Sequence, residues 1–386
     1  MKIAFIEWAS FGKEDIIQAL TSLSHSVVRF SHPDYDLRES TDFTRSFSDF
    51  VKEQKPELVF SSNYFPLVSS VCNTFEIPYI SWVYDCPHLS LFSATVINPC
   101  NHIFVFDRDT VNYFKSIGIT TIEYMPLAAA VRRLDSMEVP PAIKDKLGCD
   151  VSFVGAMYNE NHNLFERLWG LSDYAQGYLN GIMRSQLKIS GYNFIEELLN
   201  DNVMAELRSL QPYVPEPDGV EPDSYVYSRF FIDRKLTQME RADLLGAVSQ
   251  HFDTYLYTHN RTPELPYINN IGPIDPVTTM PYVFKCSKIN LNISLRSIHT
   301  GIPLRAMDIM GAGGFLLTNY QSDMDELFTA GRDYVWYDGR DDLLSKCEYF
   351  LTHEKDRTEI AHNGHATISS AHTYEIRLQQ ILESVF

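Results

Sequence analysis

Positive charge is scarce in this chain. Its 32 lysines and arginines stand against 50 aspartates and glutamates, a formal net charge of −18 over 386 residues. That balance argues against a general nucleic-acid or anionic-membrane surface, while leaving room for a small basic pocket. Long apolar runs are missing too. No stretch reaches the roughly 18–20 apolar residues that a membrane span requires. The start, Met1-Lys-Ile-Ala-Phe-Ile-Glu7, is interrupted too early to read as a signal peptide. The six cysteines contain no C-x-x-C pair, so no zinc site is expected. Scattered thiols in a chain of this size suit a reduced, cytoplasmic protein. Also absent are G-x-G-x-x-G, G-x-x-x-x-G-K-[ST] and G-x-S-x-G, which removes a dinucleotide fingerprint, a P-loop and a hydrolase elbow.

What is present is alternation. The apolar runs Lys2–Glu7, Ser26–Phe30, Glu57–Ser61, Tyr79–Val83, His102–Phe106 and Thr121–Met125 read as strands, with helical spacing between them. The pattern resumes at Asp150–Gly155, Thr254–Tyr257, Ile289–Ile293, Phe315–Thr318 and Tyr334–Tyr337. Near-continuous apolar strands separated by helices predict parallel sheets covered on both faces. The expected fold is therefore α/β, with two doubly wound, Rossmann-like domains facing across a cleft. Residues 1–130 form the first domain and 131–149, with Pro140 and Pro141, a linker. Residues 150–368 form the second, with a helical insertion over about 164–250 and an exposed acidic loop near 211–225. Residues 369–386 form a closing helix. Ligands of such folds bind at the carboxyl ends of the strands, so the loops there carry the candidate chemistry.

The richest segment is Ile302–Asn319, which predicts a short helix, a glycine turn and a buried strand. Arg305 and Asp308 lie three apart and share a helix face. A cation beside a carboxylate suits a nucleoside diphosphate, the arginine for phosphate and the carboxylate for ribose hydroxyls. Gly311, Gly313 and Gly314 would let the backbone approach a ligand, or else form a helix C-cap before a core strand. Just upstream, Arg296 and His299 converge on the same loop, making it the best anion-site candidate in an acidic chain. In the first half, Ser10, Gly12 and Lys13 open a helix after the first strand and face a substrate or form a plain turn. Asp85 and His88 end the fourth strand, where Asp85 reads either as a general base or as a helix cap beside Pro87. The pairs Asp34/Asp36, Asp107/Asp109 and Asp323/Asp325 are expected by chance in so acidic a chain, and no metal is assigned to them. His362 and His365 read as structural or surface residues near a helix end.

The C-terminal third resembles the GT-B glycosyltransferases of the spore-maturation (CgeB-like) group. The resemblance is carried by Leu291-Asn-Ile-Ser, Gly301-Ile-Pro-Leu-Arg-Ala-Met-Asp308, Gly311-Ala-Gly-Gly-Phe-Leu-Leu-Thr318, Asp325-Glu-Leu-Phe and His372-Thr-Tyr-Glu-Ile-Arg377. The N-terminal half is similar to the domain that accompanies this group in bacteria, through Trp82-Val-Tyr-Asp85-Cys-Pro, Val105-Phe-Asp107 and Tyr124-Met-Pro-Leu-Ala128.

The resemblance implies a hexosyltransferase-like enzyme working without metal or cofactor. Its co-substrate would be a nucleoside-diphosphate sugar, taken here as a UDP-sugar. The acceptor would be a hydroxyl of a carbohydrate, protein or other molecule. Asp308 falls on the ribose-binding glutamate of the family, whereas Thr300 stands where a first glutamate is usual. Gly313 and Gly314 fall where the family's backbone nears the donor, Gly155 on a phosphate-facing turn, and Gly272 and Ile274 where the base is read. The stretch Tyr158–His162 lacks the basic residue usual there. A nucleotide-sugar 2-epimerase and a non-catalytic nucleotide-sugar-binding protein are the alternatives.

Overall fold

The computed structural model describes residues 1–160 and 163–386. These fold as two compact units. The first comprises Met1–Ala130, Val214–Glu221 and His372–Phe386. Its strands are β1 (Lys2–Ile6), β2 (Ser26–Phe30), β3 (Leu58–Ser62), β4 (Tyr79–Val83), β5 (Asn101–Val105) and β6 (Ile122–Tyr124). They form one parallel sheet in the order β2-β1-β3-β4-β5-β6. β3 and β4 are buried at every position, as the continuous apolar runs require of a sheet covered on both faces.

Local signals build the covering helices. Thr41–Gln54 begins where Ser40 accepts a hydrogen bond from the Phe43 amide at 3.1 Å. It buries Phe43, Phe47 and Val51, spaced one turn apart, and ends at the left-handed Lys55. Phe30 packs into that face, 4.8 Å from the Phe47 ring.

The second unit comprises Val131–Tyr213 and Pro222–Ala371. Its strands are β7 (Val151–Val154), β8 (Thr254–Tyr257), β9 (Asn269–Asn270), β10 (Ile289–Asn292), β11 (Leu316–Asn319) and β12 (Val335–Tyr337). All pair in parallel, in the order β12-β11-β10-β7-β8-β9. Between β7 and β8 runs the helical insertion. It includes Asp173–Gln186, Asp201–Leu210, a π-helical Tyr227–Ile232 and the crossover helix Asp233–Ser249. The core gathers Val151, Phe153, Leu244, Val248, Leu291 and Leu317 around the sheet.

Four expectations change. Residues 131–149 are not a free linker: Val131–Ser136 and Pro141–Leu147 are helical and belong to the second unit. Lys285 Nζ donates to the carbonyls of Leu134 (2.7 Å) and Met137 (2.8 Å). Pro141 starts a helix at its first position, where a missing N–H costs nothing. The acidic loop is not wholly free either. Ala94 N donates to Asp218 O at 2.8 Å and Val220 N to Phe92 O at 3.1 Å, which ties 214–221 to the first unit. The last helix starts at Tyr374, capped by the Thr373 hydroxyl, and belongs to the first unit, where it packs on Lys13–Ser22. His362 and His365 lie within the helix Glu354–Ala371, and His365 pairs with Asp135 at 2.8 Å.

Candidate functional site

In the second sheet the strand order reverses at β7 and β10, which opens a crevice outside their carboxyl ends. Arg241, from the Asp233–Ser249 helix, bridges those ends. Its Nε and Nη2 donate to Ile293 O at 3.2 and 2.6 Å, and its Nη1 donates to Ala156 O. The guanidinium sits 5.1 Å from the Phe153 ring centroid and 5.0 Å from that of Tyr158. Gly155 lies close against this pair: a Cβ there would crowd the Phe153 ring at 3.1 Å and touch Arg241 Nη1 at an ordinary 3.6 Å. Arg241 is only 7% exposed, and burial pushes its pKa down, with Tyr158, Glu240 and Tyr337 opposing. Among the described residues no carboxylate forms an ion pair with it.

Arg305 stands in the first turn of the helix Leu304–Gly311. It lies 4.0 Å from Asp308 and 5.6 Å from the centroid of the Phe284 ring, and it touches Met280 Sδ. Burial pushes the Arg305 pKa down, Asp308 opposes this, and Arg241 adds to the lowering. Two guanidiniums that disfavour each other's charge beside a helix N-terminus form a cradle that an anion would relieve.

Arg296 is held differently. Its Nε and Nη2 grip both oxygens of Glu240, at 2.8 and 2.6 Å, with the two side chains 12% and 9% exposed. Its amide donates to Thr237 Oγ1 at 2.9 Å, and its carbonyl accepts from Asn193 at 3.0 Å. Next to it, Arg229 Nη1 donates to Ser297 O while Ser297 Oγ donates to Arg229 O. The guanidinium expected to neutralise phosphate thus ties the loop after β10 to the insertion. His299 lies in the same network as a charge neighbour of Asp233, whose buried carboxyl is pushed up in pKa by desolvation against Arg229 and His299.

The glycines divide. Gly155 lies at the carboxyl end of β7, and Gly272 and Ile274 follow the carboxyl end of β9, with Gly272 at φ +93°. Gly313 and Gly314 precede β11, at the amino ends of the parallel strands and so opposite the crevice at their carboxyl ends, and their expected approach to the donor is corrected. Gly313, at φ +77°, turns the chain after the helix. Gly314 packs so closely that a Cβ would lie 2.7 Å from Asn290 Nδ2 and from Phe284 O. The C-cap and core-strand reading holds for both. Of the charge-poor stretch Tyr158–His162, the last two residues lie outside the described residues.

In the first sheet the order reverses at β1 and β3. Ser10, Gly12 and Lys13 do lie in the loop after β1, but Lys13 Nζ is paired with Glu7 at 2.8 Å. Gly12, at φ +74°, faces Tyr374 Oη, which a Cβ would approach to 2.8 Å. Asp85 is exposed after β4 and caps no helix. Asn63 holds it, donating from Nδ2 to Asp85 Oδ2 at 2.7 Å while its Oδ1 accepts the Tyr84 and Asp85 amides at 2.8 and 3.1 Å. His88 is turned onto the backbone, its Nε2 3.0 Å from Tyr64 O, and burial pushes its pKa down. That contact makes His88 a brace between the loops after β3 and β4, and Asp85 is among the charges that act on it. Asp107 caps the helix Arg108–Ser116 through the Thr110 amide, Asp34 accepts from Ser40 Oγ, and Asp325 accepts from Tyr320 Oη.

Reasoning from the sequence missed Arg241 and Asn63. A signal for Arg241 existed. Asp233, Thr237, Glu240, Arg241 and Leu244 recur at the spacing of a core-facing helix stripe, and polar residues at such positions mark a buried network. Asn63 carried no comparable signal, since its role depends on a left-handed backbone (φ 72°) that appears only in the fold.

A family model described as glycosyl transferase-like matches residues 231–383, from the π-helical segment into the last helix and less than half of the chain. No curated protein sequence matches. Among solved structures, the chain is similar to a sucrose-phosphate synthase from Thermosynechococcus elongatus (9% identity, TM-score 0.59, covering 100% of this chain and 99% of that one). It is similar to a glycosyltransferase from Rickettsia africae (9% identity, TM-score 0.57, 99% and 97% covered). It is also similar to HepE from Anabaena, solved in complex with UDP-glucose (11% identity, TM-score 0.54, 100% and 99% covered). At such identities the likeness is one of fold, and the fold of this chain is the two-domain, parallel-sheet GT-B architecture of the glycosyltransferases.

Proposed function

We propose that the protein transfers a sugar from a nucleoside-diphosphate sugar, a UDP-sugar by preference, to a hydroxyl acceptor. The observation that carries this reading is a buried guanidinium, Arg241, that bridges the carboxyl ends of β7 and β10 with no carboxylate on it among the described residues, while Arg305 stands in the first turn of the helix Leu304–Gly311. Diphosphate oxygens would be held there by two guanidiniums and a helix N-terminus, so the leaving group would need no metal to stabilise its charge. Asp308, one turn from Arg305, would take the ribose hydroxyls, and the backbone after β9 at Gly272 and Ile274 the base. The family-model match over 231–383 contains Arg241, Arg305 and Asp308, and the UDP-glucose complex of HepE supports uridine.

In the transfer an acceptor oxygen bonds to the anomeric carbon, the bond from that carbon to phosphate oxygen breaks, and UDP departs with its electrons. Asp85 is our assignment for the group that takes the acceptor proton in an inverting reaction, with His88, held on the backbone of Tyr64, beside it. The six free cysteines fit the reducing cytoplasm, where nucleotide sugars are made. Among the described residues no helix is long and apolar enough to cross a membrane.

Titration calorimetry of the full chain with UDP, UMP, ADP and GDP tests the reading. Binding that requires the second phosphate and falls at least tenfold in Arg305→Ala supports it; an affinity unchanged by Arg305→Ala removes the diphosphate assignment. Hydrolysis of a labelled UDP-sugar, lost in Asp308→Ala, separates an enzyme from a binding protein.

A further inference from the structure

We infer that the crevice at the carboxyl ends of β1, β3 and β4 is a site for a neutral saccharide, with Trp8 and Tyr35 as an aromatic platform and Asp85 receiving a sugar hydroxyl. The inference rests on the transferase reading and gives its acceptor a chemical class.

Trp8 and Tyr35 stack with ring centroids 6.0 Å apart and planes 26° from parallel. Phe65 meets both edge-on, at 6.1 and 5.2 Å with interplanar angles of 85°. The Trp8 indole is fixed by its Nε1–H donating to Ser62 O at 2.8 Å, so its one polar atom is already used. Trp8 and Tyr35 are both half-buried, and they lie at the reversal point of a doubly wound sheet, where such folds bind ligands. Aromatic rings with a few fixed polar groups are the usual furnishing of a small-molecule site. The C–H face of a pyranose packs on the electron-rich face of such a ring, and its hydroxyl edge then needs acceptors.

Those acceptors are at hand. Asp85 is exposed, and the described residues place no cation on it. Asn63, only 2% exposed, has both ends of its amide committed to aiming that carboxylate and its loop. Asp85 lies close enough to Tyr35 to help raise the phenol's pKa, behind burial and Asp36, so the two groups share one crevice. Ser10 Oγ, on the loop after β1, is buried with no hydrogen-bond partner.

Electrostatics choose the class. Asp85 and Asp36 put negative charge on the crevice, while Lys13, on the loop after β1, is paired with Glu7, and Arg38, which acts on His88, is paired with Asp218. A phosphorylated or carboxylated acceptor would be repelled there, and so would the diphosphate of a nucleotide. A neutral sugar would not be.

The full chain would be tested against immobilised neutral oligosaccharides (maltose, cellobiose, lactose and N-acetylglucosamine disaccharide) and against sialylated and sulfated ones, with UDP titrated separately. Neutral glycans are expected to bind in the millimolar range or tighter. Trp8→Ala and Tyr35→Ala are each expected to lose at least tenfold, and Asp85→Asn severalfold. If Trp8→Ala does not melt cooperatively, Tyr35→Ala, in a loop, decides. The inference is overturned if no neutral glycan binds, if the acidic glycans bind better, or if the folded aromatic variants bind like the parent. UDP binding without glycan binding defeats this inference and spares the donor reading; glycan binding without UDP binding does the reverse.

Discussion

The first sheet reverses its strand order between β1 and β3, the second between β7 and β10. The first crevice is furnished with Trp8, Tyr35 and Asp85, the second with Arg241, Arg305 and Asp308. Topology supplies the same opening twice, and the side chains that reach it set opposite electrostatic characters. The difference also shows in how each site is braced. In the first unit, a single asparagine side chain and the Trp8 indole fix the loops by hydrogen bonds to backbone and carboxylate. In the second, a buried ion pair and the reciprocal Arg229–Ser297 bonds carry the loop after β10. Removing one partner of a buried pair strands a charge, so the cationic crevice depends on its supports more steeply than the aromatic one does.

The largest expected effect tests that dependence. Glu240→Ala leaves the Arg296 guanidinium buried and unpaired, and urea denaturation should show a loss of about 3–5 kcal/mol. A loss under about 1 kcal/mol would mean that the pair is not what holds the loop. Arg305→Ala should cost UDP binding about 1.5–3 kcal/mol, the range for hydrogen bonds to charged groups, while the melting curve stays cooperative. Gly313→Ala separates the two ends of the strands in the second sheet. At φ +77° an alanine should lower stability by about 1–2 kcal/mol and leave UDP affinity within twofold of the parent. A large loss of UDP affinity would restore Gly313 to the donor site. Asp308→Asn should weaken UDP by about 1 kcal/mol and reduce its preference over 2′-deoxy-UDP, read by competition calorimetry.

The smallest effect belongs to the first unit. The folded-state pKa of His88 is depressed, so its contribution to stability is present above its unfolded pKa of about 6.5 and is lost on acidification through the lower folded value. His88→Asn should therefore lose less stability than the parent between pH 7 and pH 5. An identical slope in both would show that His88 titrates as it does in the unfolded chain.

Much of the architecture was legible beforehand. Ser26–Phe30, Tyr79–Val83 and Thr254–Tyr257 are strands at the bounds their apolar runs imply. A fully buried parallel strand must be apolar along its length, and little else in a soluble chain is. β9 escaped notice because two residues carry no period. The proline-marked linker was misjudged because a proline at a first helical position looks, in sequence, like a break, and the closing helix was begun too early because the Thr373 cap was passed over. In the candidate site, Arg305 and Asp308 were recognisable as a pair because helix geometry is local. The expected phosphate role of Arg296 could not be judged from spacing, because its partner Glu240 is 56 positions away.

The sequence alone determined the alternation of strands and helices, the acidic balance, the short helix that presents Arg305 with Asp308, and the glycine turn that follows it. Each depends on neighbours within a few residues, where backbone stereochemistry and side-chain period act directly. Only the tertiary structure decided which arginine is held by backbone carbonyls at the strand ends and which is gripped by a carboxylate. It alone turned Gly313 and Gly314 away from the strands' carboxyl ends, brought Asn63 under Asp85, and set Tyr35 against Trp8. Those pairings join residues far apart in the chain. Their energies depend on burial and on which partner lies within hydrogen-bonding distance, quantities that exist only once the sheets have closed.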